Sequence, residues 1–176
     1  MLRYPVLVEK IFTPAQCEEI IARGVTYPVI SDITPEEAEA QPQGKRRAFS
    51  NPVDYEPLIK KMMPVAARTN AEHYRFKIDA METPHFCEYR EGECSPLHND
   101  FASDANTNRK LTLIVFLSDP NAFTGGQLHL YPFLKRDIQQ QGNLIIFPSY
   151  IMHQVEPVIR GVRYSLVSWG IGPPFT

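Results

Sequence analysis

Three side chains in the second half of the sequence could together bind a metal ion. His98 and Asp100 are two residues apart, and in an extended segment such side chains project to the same side of the backbone. A histidine and an aspartate at this spacing are common in proteins, so a metal site needs a third ligand. Of the five histidines, His153 fits best because it follows a turn-forming Phe-Pro-Ser segment and opens a β-rich stretch. His129 and His85 are weaker alternatives.

Arg163 and Ser165 add groups that could bind a carboxylate. They lie in the apolar stretch 163–169, where Arg163, Ser165, Val167 and Trp169 would share one face of a strand. A planar guanidinium offers parallel donors that match a carboxylate, and a serine hydroxyl on the same face adds another donor. Two imidazoles and one carboxylate are the ligand set of non-haem iron(II) oxygenases, which keep three coordination positions open. The sequence thus predicts an iron site beside a carboxylate-binding arginine.

The elements that must position these groups are helical in the first part of the chain and β-rich in the second. Thr13 can cap a helix over 13–24, because Pro14 suits the first helical position and Gly24 suits the end. Residues 54–74 have helical periodicity with Pro64 inside it, which predicts a kinked helix or two short helices. Short β-rich runs follow at 85–89, 111–117, 127–131, 143–147, 153–158 and 163–169. The pattern predicts an α+β protein whose second half is a sandwich, barrel or jelly roll.

Two polar segments are predicted to be loops that contact a substrate. Residues 31–52 contain three prolines, an acidic stretch and the basic triplet Lys45, Arg46 and Arg47. This composition predicts a long loop or mobile arm, with the triplet solvated at its surface. Residues 101–109, rich in Ser, Asn and Asp, form the second such segment.

Composition limits the possible classes of protein. A chain of 176 residues with 43% hydrophobic content suits a single domain, with helical support and the arm in 1–80 and the β core in 81–176. A net charge of -2 excludes a strong general attraction to nucleic acid or an anionic membrane. No apolar run is long enough to span a bilayer, and Pro5 interrupts the short apolar start, so we expect no signal peptide. Three unpaired cysteines predict a reducing, cytoplasmic location.

Roughly the last 100 residues resemble the prolyl 4-hydroxylase-like branch of the 2-oxoglutarate and iron(II) dependent dioxygenases. Many short motifs occur in that family's order, and the segment from Phe12 to Ile21 also resembles its opening helix. The motifs are Tyr89-Arg-Glu-Gly92, His98-x-Asp100, Arg109-Lys-Leu-Thr112, Gly125-Gly126-x-Leu128, Gly142-Asn-Leu-Ile-Ile-Phe147-Pro148, His153-x-Val155-x-Pro157-Val158, Gly161-Val-Arg163-Tyr-Ser165 and Trp169.

The resemblance implies a double-stranded β-helix, or jelly roll, over 81–176, and it assigns roles to residues. His98, Asp100 and His153 would bind Fe(II), and Arg163 would pair with the distal carboxylate of 2-oxoglutarate. Tyr89 would hydrogen-bond this cosubstrate, Ser165 would assist Arg163, and Trp169 would shape the pocket floor. Phe116 departs from the family, because relatives with a tyrosine there use its hydroxyl on the cosubstrate. The hydroxyl of Thr112 or Ser165 could replace it.

The resemblance also implies Fe(II), 2-oxoglutarate and O2 as reactants, with ascorbate as a supporting reductant. The product would be a hydroxylated C–H position, with release of succinate and CO2. Peptidyl proline is the favoured substrate, with the 31–52 arm folding over an extended peptide and the basic triplet favouring acidic neighbours. A free amino acid or another small molecule is the alternative. Oligomeric state is not predicted.

Other functions of the same ligand set stay open. A different cupin-like metalloenzyme, such as a cofactor-independent oxygenase or an isomerase, is disfavoured by Arg163. A non-catalytic cupin-like metal-binding module is disfavoured by the intact ligand set. A zinc hydrolase lacks an obvious general base, because Glu88 and Glu91 are expected to face solvent.

Overall fold

The computed structural model describes residues 4–30, 42–101, 108–133 and 138–174. Within these ranges the chain forms two α-helices, a π-helical turn and twelve strands. The helices are α1 (Pro14–Gly24) and α2 (Pro52–Thr69), and the π-helical turn is Asn70–Tyr74. The strands are β1 (Val6–Val8), β2 (Lys45–Ala48), β3 (Ala80–Met81), β4 (His85–Tyr89), β5 (Ser95–His98), β6 (Arg109–Phe116), β7 (Phe123–Gly125), β8 (Leu128–Leu130), β9 (Leu144–Pro148), β10 (His153–Val155), β11 (Val158–Gly161) and β12 (Arg163–Ile171).

Helix α1 begins and ends where the sequence predicts. The Thr13 hydroxyl accepts a hydrogen bond from the Gln16 backbone N–H, and the Gln16 side chain accepts one from the Thr13 N–H. This reciprocal pair satisfies two N–H groups that a helix start would otherwise leave unpaired. Cys17 and Ile20 on the same face are buried in the core.

Helix α2 is one continuous helix, so of the two predicted alternatives, a kinked helix or two short helices, the second is wrong. It runs through both Pro57 and Pro64 and passes into the π-helical turn. Proline removes one helical hydrogen bond and crowds the preceding turn. Buried Leu58, Met62 and Ala66 lie on one face of the helix, and we attribute its continuity to their packing. Neither helix of the described ranges has the length and apolar character needed to cross a bilayer.

The strands form a large antiparallel sheet with smaller sheets packed against one face. The large sheet has the order β1-β9-β6-β12-β4-β2, and β3 pairs with β12 at one end. The smaller sheets are β5-β10-β8 and β11-β7. A cluster of buried residues from both layers, including Ile114 and Phe147 of the large sheet and Leu128 and Val155 of the small one, fills the space between them. The predicted jelly-roll architecture with supporting N-terminal helices is confirmed.

The large sheet separates two cores. Along β6, Leu111, Leu113 and Val115 pack on the helix side, and Ile114 and Phe116 pack inside the jelly roll. This alternation follows from the period-two geometry of a strand. Burying each such aliphatic or aromatic side chain contributes about 1.5–3 kcal/mol. Both faces of the sheet are therefore apolar, and its central strands read as continuous hydrophobic runs.

Two predictions about loops and strand ends are corrected. Strand β2 lies in the segment predicted to be a mobile arm and pairs antiparallel with β4, while residues 31–41 of that segment lie outside the described ranges. The predicted strand over 153–158 is divided into β10 and β11, because the Glu156-Pro157 pair leaves the ladder of β10. Of the second polar segment, 102–107 also lie outside the described ranges.

Candidate active site

His98, Asp100 and His153 converge on one point. His98 ends β5 and His153 begins β10, and these two residues are direct partners in the antiparallel ladder. Their ring centroids are 4.3 Å apart. Asp100 follows β5, and its carboxylate oxygens lie 3.6 Å from Nε2 of His98 and 3.7 Å from Nε2 of His153. One donor atom from each residue lies within 4.8 Å of the others, so the three can hold a metal ion.

Backbone contacts orient both imidazoles toward this point. Nδ1 of His98 lies 2.7 Å from the Pro96 carbonyl oxygen, and Nδ1 of His153 lies 3.0 Å from the Ile151 carbonyl oxygen. A protonated Nδ1 that donates to a carbonyl leaves Nε2 as the lone-pair donor, which is the usual orientation of a metal-binding histidine. The two side chains differ in exposure, 42% for His98 and 5% for His153, so the site opens to solvent on the His98 side.

The Asp100 carboxylate is held by a buried hydroxyl. Oγ1 of Thr112 donates to Oδ2 of Asp100 at 2.6 Å and lies 3.1 Å from Oγ of Ser149. The Asp100 N–H donates to the Ser149 carbonyl at 2.9 Å. Thr112 therefore contacts a candidate metal ligand, and its predicted role at the cosubstrate stays a prediction.

Burial and mutual charge set the ionisation of the three groups. Burial opposes ionisation of Asp100, but its contacts with His98, the charge of His153 and the Thr112 hydroxyl outweigh that effect and hold its pKa well below the usual range. Burial lowers the pKa of His153. Burial also disfavours protonated His98, although the adjacent Asp100 carboxylate prevails and raises its pKa. An ionised carboxylate and a neutral His153 are the forms that bind metals.

Arg163 lies almost fully buried at the start of β12. Its Nε donates to Oε1 of Gln139 at 3.1 Å, and its Nη1 donates to Oγ of Ser165 at 3.2 Å. Nη2 is also buried and has no hydrogen-bond partner among the described residues. Burial lowers the pKa of Arg163. Since an arginine keeps its charge in proteins, the structure buries a cation whose two Nη2 N–H groups are unused by the described residues.

The surroundings of Arg163 are aromatic and closely packed. Its Cζ lies 5.2 Å from the ring centroid of Tyr89 and 6.0 Å from that of Phe116. At Gly126, where φ is +63°, a Cβ atom would come 2.9 Å from Cδ of Arg163. A glycine at this position therefore allows the guanidinium stem to pass close to the backbone.

A cavity of about 300 Å³ joins the metal-binding cluster to Arg163. Its wall includes His98, Asp100, His153, Tyr89, Arg163, Ser165 and Trp169. The structure thus brings every residue that the sequence selected into one pocket except Thr112, which lies behind Asp100. The Trp169 ring is covered by the Arg109 guanidinium at 3.7 Å, and its Nε1 is buried without a hydrogen-bond partner in the described part of the chain.

The two alternative histidines lie elsewhere. His129 is on β8, with Nε2 at 2.8 Å from Oε1 of Glu156 and its ring stacked near Tyr131. His85 packs edge-on against Trp169 with ring centroids 5.1 Å apart. The structure groups neither of them with His98 and Asp100.

Sequence reasoning missed several buried charged and polar groups, some on the far face of the large sheet and some at the pocket. Glu88, expected to face solvent, is only 1% exposed and accepts hydrogen bonds from Arg47 at 2.7 Å and Arg90 at 2.6 Å. Arg47 is buried as well, so the basic triplet is not simply a solvated tip. Arg46 and Gln139, by contrast, reach the site, Arg46 in the cavity wall and Gln139 on Arg163. No local pattern marks these residues, because the contacts of Arg47 with Glu88 and of Gln139 with Arg163 join distant parts of the chain.

A sequence model described as the 2OG-Fe(II) oxygenase superfamily matches residues 84–170, which contain all four expected catalytic residues. Residues 84–170 of the chain belong to this superfamily. A PKHD-type hydroxylase of Pseudomonas putida (strain W619) is 34% identical over 89 residues, or 46% of this chain and 39% of that relative. A PKHD-type hydroxylase of Sphingopyxis alaskensis is 31% identical over 117 residues, or 62% of this chain and 53% of that relative. The matches thus span about half or less of these relatives' own length.

Solved structures of similar fold superpose on nearly the whole of this chain. A Pseudomonas putida prolyl-4-hydroxylase superposes with a TM-score of 0.75 at 18% identity and covers 97% of this chain and 94% of its own. A Trichoplax adhaerens prolyl hydroxylase, solved with a hypoxia inducible factor peptide fragment, has a TM-score of 0.76 at 16% identity. The superposition covers 95% of this chain and 83% of that one. At such identities the likeness establishes the fold, and it is the jelly roll of prolyl hydroxylases.

Proposed function

We propose that this protein is an Fe(II)- and 2-oxoglutarate-dependent dioxygenase that hydroxylates a C–H bond. The reaction consumes one O2 and one 2-oxoglutarate, places one oxygen atom in the substrate as hydroxyl, and releases succinate and CO2. The observation that carries the proposal is a single pocket holding both the His98-Asp100-His153 cluster and the buried, partly unpaired Arg163.

The donor set of the cluster fits Fe(II). Two imidazole nitrogens and one carboxylate oxygen on the same side of a metal leave further positions open for a cosubstrate and oxygen. His98 and His153 each have Nδ1 at a backbone carbonyl, which leaves Nε2 for the metal. Asp100 is fixed by Thr112, so the three donors are oriented before a metal arrives.

The unused donor of Arg163 fits the distal carboxylate of 2-oxoglutarate. A guanidinium binds a carboxylate through two parallel N–H groups, and burial makes an unpaired donor costly. Ser165 and Tyr89 also line the cavity and offer hydroxyl groups to the same anion. Gln139 holds Nε of Arg163 and thereby fixes the plane of the fork.

The chain's own residues contribute orientation and the exclusion of water. Bound Fe(II) and 2-oxoglutarate supply the oxidising chemistry that activates O2. Arg163 anchors one end of the cosubstrate, while Asp100 and the two histidines fix the metal at the other. Buried Ile114, Leu128 and Val155 keep this part of the pocket apolar. An apolar wall strengthens the electrostatic contacts inside it and protects reactive species from water.

Peptidyl proline is the substrate we propose first, because the relatives include PKHD-type hydroxylases and the structural neighbours include prolyl hydroxylases. A free amino acid or other small molecule is the second candidate, since a cavity of about 300 Å³ is at the small end of ligand sites. We place the reaction in the cytoplasm, because Cys17, Cys87 and Cys94 are all free and buried. Ascorbate is proposed as a reductant that sustains turnover.

The proposal is tested first without oxygen. Adding Fe(II) and 2-oxoglutarate to the protein should produce the weak visible charge-transfer band of the metal chelate. The band and bound iron should both be lost in His153→Ala and retained in His129→Ala, a matched control on a neighbouring strand. If His129→Ala lost the band and the iron while His153→Ala kept both, His129 would be the third ligand and the site as described would be rejected.

Turnover is tested by a screen for substrate-stimulated succinate formation. Proline-containing peptides, free proline and other small molecules are incubated with enzyme, Fe(II), 2-oxoglutarate and O2, with and without ascorbate. Mass spectrometry should find one added oxygen in the true substrate. If the chelate band forms but no compound is oxidised and no succinate appears, a non-catalytic metal-binding module becomes the better assignment.

A further inference from the structure

The hydroxyl that holds Asp100 is itself in contact with a second hydroxyl. Thr112 and Ser149 are both fully buried, and their hydroxyl oxygens lie 3.1 Å apart. Thr112 is on β6 and donates to Oδ2 of Asp100 at 2.6 Å, while Ser149 directly follows β9. Within the described ranges, Thr112 is the hydrogen-bond partner of the Ser149 hydroxyl. The two hydroxyls and the carboxylate therefore form one short chain whose hydroxyls are shielded from water.

The number of protons fixes the direction of this chain. A metal-binding carboxyl group is ionised and can only accept hydrogen bonds. A threonine hydroxyl has a single proton, and Thr112 uses it on Asp100. The hydrogen bond between the two hydroxyls must therefore be donated by Ser149 and accepted by Thr112. In this order Ser149 is the first donor of the chain, and Oδ2 of Asp100 is the final acceptor.

Ser149 also holds the main chain of Asp100. The Ser149 carbonyl accepts a hydrogen bond from the Asp100 N–H at 2.9 Å, and the Ser149 N–H donates to the Lys110 carbonyl at 3.0 Å. Lys110 lies on β6 of the large sheet, whereas Asp100 follows β5 of a smaller sheet. One residue thus links the two layers beside the metal-binding cluster. Both backbone contacts would persist if the Ser149 hydroxyl alone were removed, so the two roles can be separated.

We propose that Ser149 is a positioning residue of the metal site, because the hydrogen bond that it donates keeps the Thr112 proton on Oδ2 of Asp100. This inference rests on the proposed function and adds to its site a residue outside the described cavity wall. A hydroxyl that accepts a hydrogen bond becomes a stronger donor, since successive hydrogen bonds polarise one another in a low-dielectric interior. Oδ2 is thereby occupied, and Oδ1 is presented to the metal.

The test removes each hydroxyl alone and both together. Zn(II), a redox-inert stand-in for Fe(II), is titrated by calorimetry into metal-free protein, so the readout does not depend on turnover. Ser149→Ala removes the proposed donor and leaves the backbone contacts in place. Thr112→Val removes the hydroxyl through which Ser149 acts, and Thr112→Ser retains a hydroxyl there. Ser168→Ala is the matched control, because Ser168 is also fully buried and its hydroxyl donates to the Glu82 carbonyl at 2.8 Å.

We expect Ser149→Ala to weaken Zn(II) binding by about 3- to 10-fold, which is the effect of one ordinary hydrogen bond. The same substitution should have a similar effect in Thr112→Ser and no further effect in Thr112→Val, where the chain is already broken. A purely structural loss at Ser149 would instead add to the effect of Thr112→Val. Ser168→Ala should bind Zn(II) as the wild type does. Thermal unfolding of the metal-free variants checks that each is folded at the titration temperature.

Two results would overturn the inference. The first is a Zn(II) affinity of Ser149→Ala that equals that of the wild type or is lowered no more than in Ser168→Ala. The second is an equal loss from Ser149→Ala with and without the Thr112 hydroxyl. If Ser149→Ala does not fold, Ser149→Cys replaces it in the same cycle, because a thiol is a weak donor. A wild-type protein that binds no Zn(II) would reject the metal site as well, whereas normal wild-type binding with an additive cycle rejects only this inference.

Discussion

The Arg163 guanidinium is nearly fully buried, and its Nη2 has no hydrogen-bond partner among the described residues. Lysine would keep the charge but lose the planar fork. We therefore expect Arg163→Lys to weaken 2-oxoglutarate binding by about 10- to 100-fold while metal binding is unchanged. Calorimetry with Zn(II)-loaded protein measures both affinities. Equal 2-oxoglutarate affinity in variant and wild type would remove Arg163 from the cosubstrate site.

The Thr112 hydroxyl acts on the metal-binding carboxylate, so its removal should affect the metal first. Thr112→Val keeps the shape of the side chain but removes the 2.6 Å hydrogen bond to Asp100. Loss of such a supporting contact typically weakens metal binding by about 10- to 100-fold. Zn(II) titration should detect this change, with 2-oxoglutarate affinity unaltered once the metal is saturating. Unaltered metal binding with weaker 2-oxoglutarate binding would support the role at the cosubstrate that the sequence predicts for Thr112.

The sequence resemblance predicts a tyrosine in some relatives at the position of Phe116, whose ring centroid is 6.0 Å from Cζ of Arg163. We expect Phe116→Tyr to tighten 2-oxoglutarate binding, because a hydrogen bond to a charged group contributes about 1.5–3 kcal/mol. The same calorimetric titration measures the gain. Weaker binding would mean that the added hydroxyl disrupts the packing of this ring in the inner core.

The residues of the site were accessible to sequence reasoning to different degrees. His98, Asp100, His153 and Arg163 have distinctive chemistry and spacing, and the structure brings all four to one cavity. Thr112 was placed on the correct strand face but given a different partner, since a hydroxyl can donate to any acceptor that the fold brings near. Arg46 and Gln139 have no motif, because their partners are set by strand pairing and loop placement.

Strand β2 is attached through a buried ion pair, and this makes its stability dependent on pH. Burial opposes ionisation of Glu88, but hydrogen bonds from Arg90 and Arg47 outweigh it and lower its pKa below the usual 4.5. A carboxylate with a lowered pKa stabilises the fold above its unfolded pKa, and the contribution is lost as the pH falls toward the folded pKa. Glu88→Gln should therefore destabilise the protein near neutral pH, by about 3–5 kcal/mol if Arg47 stays buried.

The loss of unfolding free energy caused by Glu88→Gln should become smaller as the pH falls below about 4.5. Urea unfolding at several pH values measures it, with exposed Glu19→Gln as the matched control. A cost independent of pH would show that the carboxylate charge does not hold β2. The strand itself was hard to predict, because a run of Lys-Arg-Arg is typical of a solvated loop and its partner Glu88 lies 41 residues away.

The two cores and the pocket form one connected structure, so occupation of the pocket should stabilise the whole fold. A ligand at 100 times its dissociation constant stabilises the native state by about 2.7 kcal/mol. For a domain of this size, that corresponds to a rise in Tm of about 5–10 °C. Thermal unfolding should show this rise with Zn(II) and 2-oxoglutarate in the wild type and in His129→Ala. His153→Ala should show little or none, and an equal rise in that variant would place the metal elsewhere.

The general architecture was predictable because regular strand spacing and an ordered set of motifs both indicate a jelly roll. Helix α1 was predictable from its cap, since Thr13 and Pro14 act locally. The continuity of α2 and the existence of β2 were not, because packing against distant strands overrode the local signals of Pro64 and the basic triplet. Nonlocal contacts of this kind cannot be read from periodicity.

The central sheet also bears on how such a fold could change its specificity. On β12, Arg163, Ser165, Val167 and Trp169 face the pocket, while Tyr164 and Leu166 pack on the helix side. Every second position of one strand thus contributes to the pocket, and the intervening positions contribute to the helix-side core. A descendant lineage could exchange pocket residues for a new substrate without disturbing the helix-side core. Within the nine residues of β12, side chains that line the pocket alternate with side chains that pack in the helix-side core, so the two sets can change separately.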